Sequence, residues 1–348
     1  MKAHEKAPTA VRVSNHFLII AWIAVLGSGA AGCGGEGTES AMGGSAGSSN
    51  GGSQAGSGGA AGGGGASADA GRAGQATDGG SGGKGGGAGL DCSGSFGAPK
   101  TLLSVPSGDE LASVSVSPDE LEAFYTLTHA DGSVTFQRSR RASKDAVFPA
   151  GSSVPELDAL CNPTDLRGLD LSPDGLRAYA VCIPAAVLPF VGALHLLKRE
   201  SLSSPFVADA MTFGSVGSSP AISHDELTLY TSSDYNPGTD PSRRYTRANV
   251  QAAFGKSETI AGLETDITTA PDPAPDDLAL FMGRASALVM ATRTTSADPF
   301  GAPTTLVPRT DLTAFGSPDI SQDCRSLYFV GVDFTDKKNI YSLQVLNR

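Results

Sequence analysis

An acidic residue followed by an aliphatic one begins four of five repeated segments in the later part of the chain, at Glu110-Leu111, Asp165-Leu166, Asp266-Ile267 and Asp311-Leu312. Carboxylates that converge from separate segments support three chemistries. They bind a cation when several oxygens meet, they hold a basic peptide or sugar hydroxyls, and two at the right separation hydrolyse a glycosidic bond. The plain alternative is that each acid caps a connection or faces solvent, as most Asp and Glu do. Asp234, Asn236 and Asp240, and Asp333 with Asp336, lack the regular spacing of a calcium loop and read as polar loops. No metal and no cofactor is expected.

Other catalytic constellations are missing from the sequence. His129, His195 and His224 fall in three different segments, none is paired with a Ser and an Asp at a recognisable catalytic spacing, and no Gly-x-Ser-x-Gly occurs within residues 92–348. A nucleophilic hydrolase is therefore not expected. Trp22 is the only tryptophan and lies in an N-terminal apolar run, so stacking on sugars falls to Tyr235 or Tyr245.

The elements that must position the acids announce themselves as a repeat. Ser172-Pro173-Asp174 leads to Tyr179, and the same offsets connect Ser117-Pro118-Asp119 to Phe124, Ser223-His224-Asp225 to Tyr230, Ala274-Pro275-Asp276 to Phe281 and Ser321-Gln322-Asp323 to Tyr328. Ser-Pro-Asp-Gly suits a type I turn, with Pro favoured second and Gly tolerating a left-handed fourth position. Only Gly175 supplies that glycine; Glu120, Glu226, Asp277 and Cys324 stand there in the other copies. Before the turn, Val114-Ser115-Val116, Leu169-Asp170-Leu171 and Ala221-Ile222 read as a first strand. After it, Leu121–Tyr125, Leu176–Val181, Leu227–Thr231, Leu278–Met282 and Leu327–Val330 read as a second.

A further offset of seven joins Arg141 to Phe148, Arg199 to Phe206, Arg247 to Phe254 and Arg293 to Phe300. The Arg ends a third strand and the Phe leads into a fourth; the expected role of the Arg is a solvated strand end or a partner for the turn Asp. The fifth copy runs out at Arg348 after a candidate strand at 339–345, but Phe96-Gly97-Ala98-Pro99 matches Phe300-Gly301-Ala302-Pro303. The N-terminal segment is thus expected to supply the outer strand of the last unit and close a ring, leaving no open sheet edge at the seam. Pro271, Pro273 and Pro275 predict a shortened or bulged inner strand in the fourth unit.

Successive turn Asp residues lie 55, 51, 51 and 47 positions apart. Four-stranded units at that period predict an all-β fold, a β-propeller of five four-stranded blades, with a six-bladed ring as the alternative. The Ser-Pro-Asp-Gly turn and the aromatic after it resemble the WD40-like (PD40) repeats of TolB-type propellers over about residues 96–346. That resemblance implies the fold and says little about function, because TolB looks six-bladed with an added α/β domain. In such a ring Glu110, Asp165, Asp266 and Asp311 fall near the start of the inner strands, around the central channel, as possible ligand-facing acids.

Topology also constrains the cysteines. Cys161 and Cys182 flank the first two strands of the second unit, and Cys324 sits in the fifth turn, where the closing strand begins after Cys92. Disulfides Cys161–Cys182 and Cys92–Cys324 are expected, the second fastening the seam; no CxxC occurs to hold zinc.

The N-terminus reads as an address. Lys2, Lys6 and Arg12 precede an apolar run from Phe17 to Leu26, too short to cross a bilayer as a helix. Ala30-Ala31-Gly32-Cys33 resembles the lipobox of bacterial lipoproteins, with Ala30 where Leu is usual, and implies lipidation at Cys33. Gly34, where a retention signal would place Asp, implies an outer-membrane lipoprotein, periplasmic or surface exposed. Residues 1–32 are then a signal peptide, 33–91 a Gly/Ala/Ser-rich disordered tether and 92–348 the propeller. Such a tether spans on the order of 40 Å at about 5–6 Å times the square root of its length. Removing Lys2, Lys6, Arg12 and Glu5, a net +2, from the formal −11 leaves about −13, which argues against nucleic acid. The expected partners are a membrane, through the lipid, and a protein or glycan. The leading reading is a non-enzymatic binding or scaffold module of the cell envelope; the alternative is a five-bladed glycoside-hydrolase-like enzyme using channel carboxylates.

Overall fold

The computed structural model describes residues 90, 92–184, 191–232, 241–265, 269–284, 287–308, 310, 313–334 and 340–348. The expected signal peptide, Cys33 and nearly all of the expected tether lie outside them, as do Asp266 and Asp311. Five four-stranded antiparallel sheets make five blades. β1 (Lys100–Ser104) belongs to the last blade. The first blade is β2 (Glu110–Val116), β3 (Glu122–Thr128), β4 (Val134–Arg140) and β5 (Ser152–Ser153), followed by a helical turn, Pro155–Asp158. The second is β6 (Leu166–Leu171), β7 (Arg177–Ile183), β8 (Gly192–Lys198) and β9 (Val207–Val216). The third is β10 (Ala221–Ile222), β11 (Thr228–Thr231), β12 (Arg243–Thr246) and β13 (Glu258–Thr259); the fourth is β14 (Thr269–Pro273), β15 (Ala279–Arg284), β16 (Ala287–Thr292) and β17 (Thr304–Val307). The fifth orders β18 (Thr313–Ile320), β19 (Ser326–Asp333), β20 (Ile340–Asn347) and then β1. Inner strands β2, β6, β10, β14 and β18 touch in sequence and β18 returns to β2, so the blades close into a ring.

Each blade begins with the same hairpin. In four of the five turns a Ser hydroxyl donates to the turn Asp, as Ser172 Oγ does to Asp174 Oδ1 at 2.5 Å. The amide two residues beyond the Asp donates to the same carboxylate in all five, as Leu176 N does to Asp174 at 2.9 Å. Partial burial pushes the Asp119, Asp174 and Asp323 carboxyls up, but these hydrogen bonds outweigh it and hold all three below the usual range. The next residue is left-handed in every blade: Glu120 (φ 58), Gly175 (φ 68), Glu226 (φ 59), Asp277 (φ 58) and Cys324 (φ 57). Four of the five accept that conformation without glycine, which costs about 1–2 kcal/mol each; the Asp and Ser caps hold the turn.

Alternation along the second strand of each blade sends one set of side chains to each neighbour. Tyr179, Val181 and Ile183 pack against Ile222, Leu229 and Tyr245 of the third blade, while Ala178 and Ala180 pack against Phe124 and Phe136 of the first. Five such clusters fill the five interfaces. The arginines after the third strands are not solvated, contrary to expectation. Arg141, Arg199 and Arg247 are buried, and their Nε donates to the carbonyls of Glu120, Gly175 and Glu226, one residue beyond the turn Asp. Each lies over the Phe seven residues on, at 4.5, 4.7 and 4.5 Å from the ring centroid, and Arg293 over Phe300 at 4.4 Å. The seven-residue offset is thus a stacked pair, apolar on one side and hydrogen-bonded at the edge.

The seam repeats this arrangement with residues from opposite ends of the chain. β1 pairs with β20, and Arg348 lies 4.4 Å over the Phe96 ring. Arg348 N donates to Arg325 O at 3.0 Å, as Arg141, Arg199, Arg247 and Arg293 do within their own blades. Cys92–Cys324 joins residues 232 positions apart across the seam, and Cys161–Cys182 closes one end of the second blade.

Candidate functional site

The inner strands bring together residues that the repeat had marked only as strand positions. Two residues before each turn's Ser or Ala stand Ser115, Asp170, Ala221, Asp272 and Asp319. Each polar member accepts from an amide of the following blade. Leu171 N donates to Ser115 Oγ at 3.1 Å, Ile222 N to Asp170 Oδ2 at 2.7 Å, and Ile320 N to Asp272 Oδ2 at 2.7 Å. Val116 N donates to Asp319 Oδ2 and completes the circuit. At the remaining junction Ala221 has no acceptor, and Pro273, which follows Asp272 as Ile222 follows Ala221, has no N–H to donate. Acceptor and donor are deleted together, so nothing is left unsatisfied.

Asp170, Asp272 and Asp319 line a cavity on the ring's axis with Pro173, His224, Pro275 and Gln322 around it. The last four occupy the second position of their turns, so the turn residues form the mouth and the carboxylates lie beneath. At about 30 Å³ the cavity has room for a water or two and not for a sugar ring. A second cavity towards the other end is lined by Ser113, Ser219, Pro220, Ala270, Pro271, Ser317 and Pro318 among others. There Ser219, Ala270 and Ser317 each take positive φ before a proline, and β14 and β18 carry register shifts. The bulge expected for the fourth blade is present, and the fifth shares it.

Burial pushes the Asp170 carboxyl up to about 6, against hydrogen bonds from Ile222 and Ser115, whose Oγ donates to Asp170 Oδ1 at 2.8 Å. Burial also raises Asp272 and Asp319 well above the usual carboxylate range; the Asp319 and Asp170 charges reinforce it at Asp272, and those of Asp170 and Glu120 at Asp319. The cluster is a set of acids whose pKa values burial raises and whose oxygens accept hydrogen bonds between blades. Among the described residues no group of three or more His, Cys, Asp or Glu is placed to hold a metal ion.

Of the acids singled out from sequence, Glu110 and Asp165 do not line these two cavities, and Asp266 and Asp311 lie outside the described residues. Glu110 opens β2, half-buried opposite Thr128. Asp165 accepts from Asn162 N at 3.0 Å and Asn162 Nδ2 at 3.2 Å, and so caps the connection into β6. The three axial aspartates went unremarked, although their offset from the turn was legible. Of the histidines, His224 reaches the mouth, His195 lies on β8 facing Thr212 of β9, and His129 touches Thr135 Oγ1 at 2.9 Å in the first blade.

No protein-family model and no curated protein matches the chain. Solved structures do. A GH43_1 enzyme from Xanthomonas citri complexed with xylose is similar at 13% identity over 70% of this chain and 89% of that one, with a TM-score of 0.50; the same type of enzyme complexed with xylotriose is 11% identical over 71% and 88%, also at 0.50. TolB from Acinetobacter baumannii is 13% identical over 71% of this chain, which spans 57% of that one, with a TM-score of 0.39. At these identities the likeness is one of fold alone, and with its five closed sheets the chain is a five-bladed β-propeller.

Proposed function

We propose that the chain is a lipid-anchored cell-envelope β-propeller, a non-enzymatic binding or scaffold module for an envelope or extracellular protein or glycan. The observation that carries this reading is the use made of the axial carboxylates: Asp170, Asp272 and Asp319 each accept an amide of the next blade. They are committed to holding the ring together, in a cavity too small for a substrate. Two disulfides fit an oxidising envelope or extracellular compartment, and Cys33 after small residues supplies the anchor. Membrane fractionation tests the anchor: Cys33→Ser is expected to move the protein from membrane to soluble fractions, and retention in the membrane overturns it. Affinity capture on native envelopes is expected to enrich one partner reproducibly; an empty capture with intact protein counts against the scaffold role.

One observation favours an enzyme instead. Three raised-pKa acids share the channel of a fold that a xylose-complexed GH43_1 enzyme also has. Release of reducing sugar from a polysaccharide panel, abolished by Asp272→Asn, would establish that alternative.

A further inference from the structure

Three of the five grooves between blades share one design. Two depart from it: the groove between the fourth and fifth blades, where Phe281 meets Cys324 and Arg348 Nη2 donates to Cys92 O, and the groove between the first and second. Where the second strand carries Tyr, the next blade's left-handed position carries an acid. Tyr328 OH donates to Glu120 Oε2 at 2.5 Å, Tyr179 OH to Glu226 Oε2 at 2.6 Å and Tyr230 OH to Asp277 Oδ1 at 3.0 Å. Arg141 Nη2 and Arg247 Nη2 donate to the Tyr328 and Tyr179 hydroxyls at 2.9 and 2.7 Å. Between the first and second blades Phe124 meets Gly175, so both the hydroxyl and the carboxylate are gone. Arg199 Nη2 is accordingly buried without a hydrogen-bond partner.

Two more arginines join it there. Arg138 and Arg140 both bind Glu122 Oε1, the second at 3.0 Å, while Arg199 Nη1 binds Glu122 Oε2 at 3.1 Å. Glu122 is 1% exposed, so one buried carboxylate serves three guanidiniums. Asp119 is the other acid whose charge acts on Arg140 and Arg199, and Ser117 and Leu121 already hydrogen-bond it. The neighbouring grooves are balanced: Arg177 faces both Glu226 and Asp174, and Lys144 faces Glu120 with Asp323 nearby. Arg138 and Arg140 side chains are 29% and 52% exposed. Only Nη2 of Arg138 and Nη1 of Arg140 among their guanidinium nitrogens are hydrogen-bonded within the protein.

We propose that this groove binds an anionic group, a carboxylate, phosphate or sulfate, on the outward donors of Arg138 and Arg140. An oxyanion matches paired guanidinium forks and supplies the charge that Gly175 omits. An acidic partner could present it on a sugar or on a lipid headgroup; the shared chemistry is the oxyanion. The assignment rests on the binding-module reading for its role, but its test reads the groove alone, whatever partner capture returns.

The full chain is titrated with inorganic phosphate and, separately, with glucuronate at low ionic strength, followed by calorimetry. Saturable binding of at least one is expected, weakened about tenfold or more by Arg140→Gln and unaffected by Lys144→Gln. Preference for glucuronate points to a glycan source and preference for phosphate to a headgroup, and either supports the site. No saturable binding, or equal losses in the two variants, overturns it. Arg140→Gln leaves Arg138 and Arg199 on Glu122, so its melting temperature should stay near that of the parent. If it does not fold, Arg140→Lys, which keeps the charge and loses the fork, carries the test: unchanged affinity overturns the proposal and weakened affinity supports it.

Discussion

Burial makes the charged form of an axial aspartate the costly one, although the amide it accepts from the next blade favours that charge. This gives a direction to the pH dependence of stability. Asp170, Asp272 and Asp319 have raised pKa values in the folded chain, so the folded state binds more protons than the unfolded one above the ordinary carboxylate range. Stability is therefore full below about pH 4 and falls as pH rises towards about 6 for Asp170, and beyond the ordinary range for its two neighbours. The turn aspartates oppose this more weakly, since their lowered values favour folding above the ordinary range. Asp272→Asn keeps an acceptor for Ile320 N and removes the charge. It is expected to melt higher than the parent at pH 8, by about 2–4 °C per kcal/mol recovered, and to match it at pH 4. Thermal melts at the two pH values check this; an equal shift at both removes the charge explanation. At this scale the sequence conceals the axial acids, because Asp170-Leu171 and Asp319-Ile320 look like any other acid–aliphatic pair and only a fixed offset backwards from the turn groups them with Asp272. Nor could it show that Phe124 and Gly175 depend on each other, since the relation crosses fifty-one residues and exists only between blades.

At the scale of the hairpin and blade, the sequence was far more legible. A turn whose caps are local, Ser to Asp and Asp to the amide two residues on, leaves its mark within eight residues. In all five copies the second strand starts within one residue of its expected start and ends up to three residues later than expected. The buried arginines were misjudged because a charged side chain is usually exposed, and only the stack on Phe and the carbonyl of the left-handed residue make burial tolerable. Gly175 marks where hairpins differ. A Cβ there would stand 2.7 Å from Leu202 Cδ2 and 2.8 Å from Pro118 Cδ, at φ +68°. Gly175→Ala is expected to cost about 1–3 kcal/mol from crowding and backbone conformation together, measured by denaturant unfolding. No loss would mean that Leu202 moves aside freely.

At the scale of the whole molecule, closure depends on the seam. Its geometry was readable because Phe96-Gly97-Ala98-Pro99 repeats an internal segment, and the ring needed a fourth strand in the last blade. Reduction of Cys92–Cys324 or Cys324→Ala is expected to lower stability by about 3–5 kcal/mol, given its long loop. Cys182→Ala, in a loop of 21 residues, should cost less, and a larger loss there would show that native packing outweighs loop length.

The same crosslink decides where a pull on the chain is felt. Cys92 precedes β1, and its partner Cys324 lies in the hairpin between β18 and β19. Tension arriving from the N-terminal side therefore passes through sulfur into the inner hairpin of the fifth blade before it reaches β1. The outermost strand, which would otherwise be peeled from β20 one hydrogen bond at a time, carries no tension while the crosslink holds. Under reducing conditions the same pull would unzip the ring from its rim.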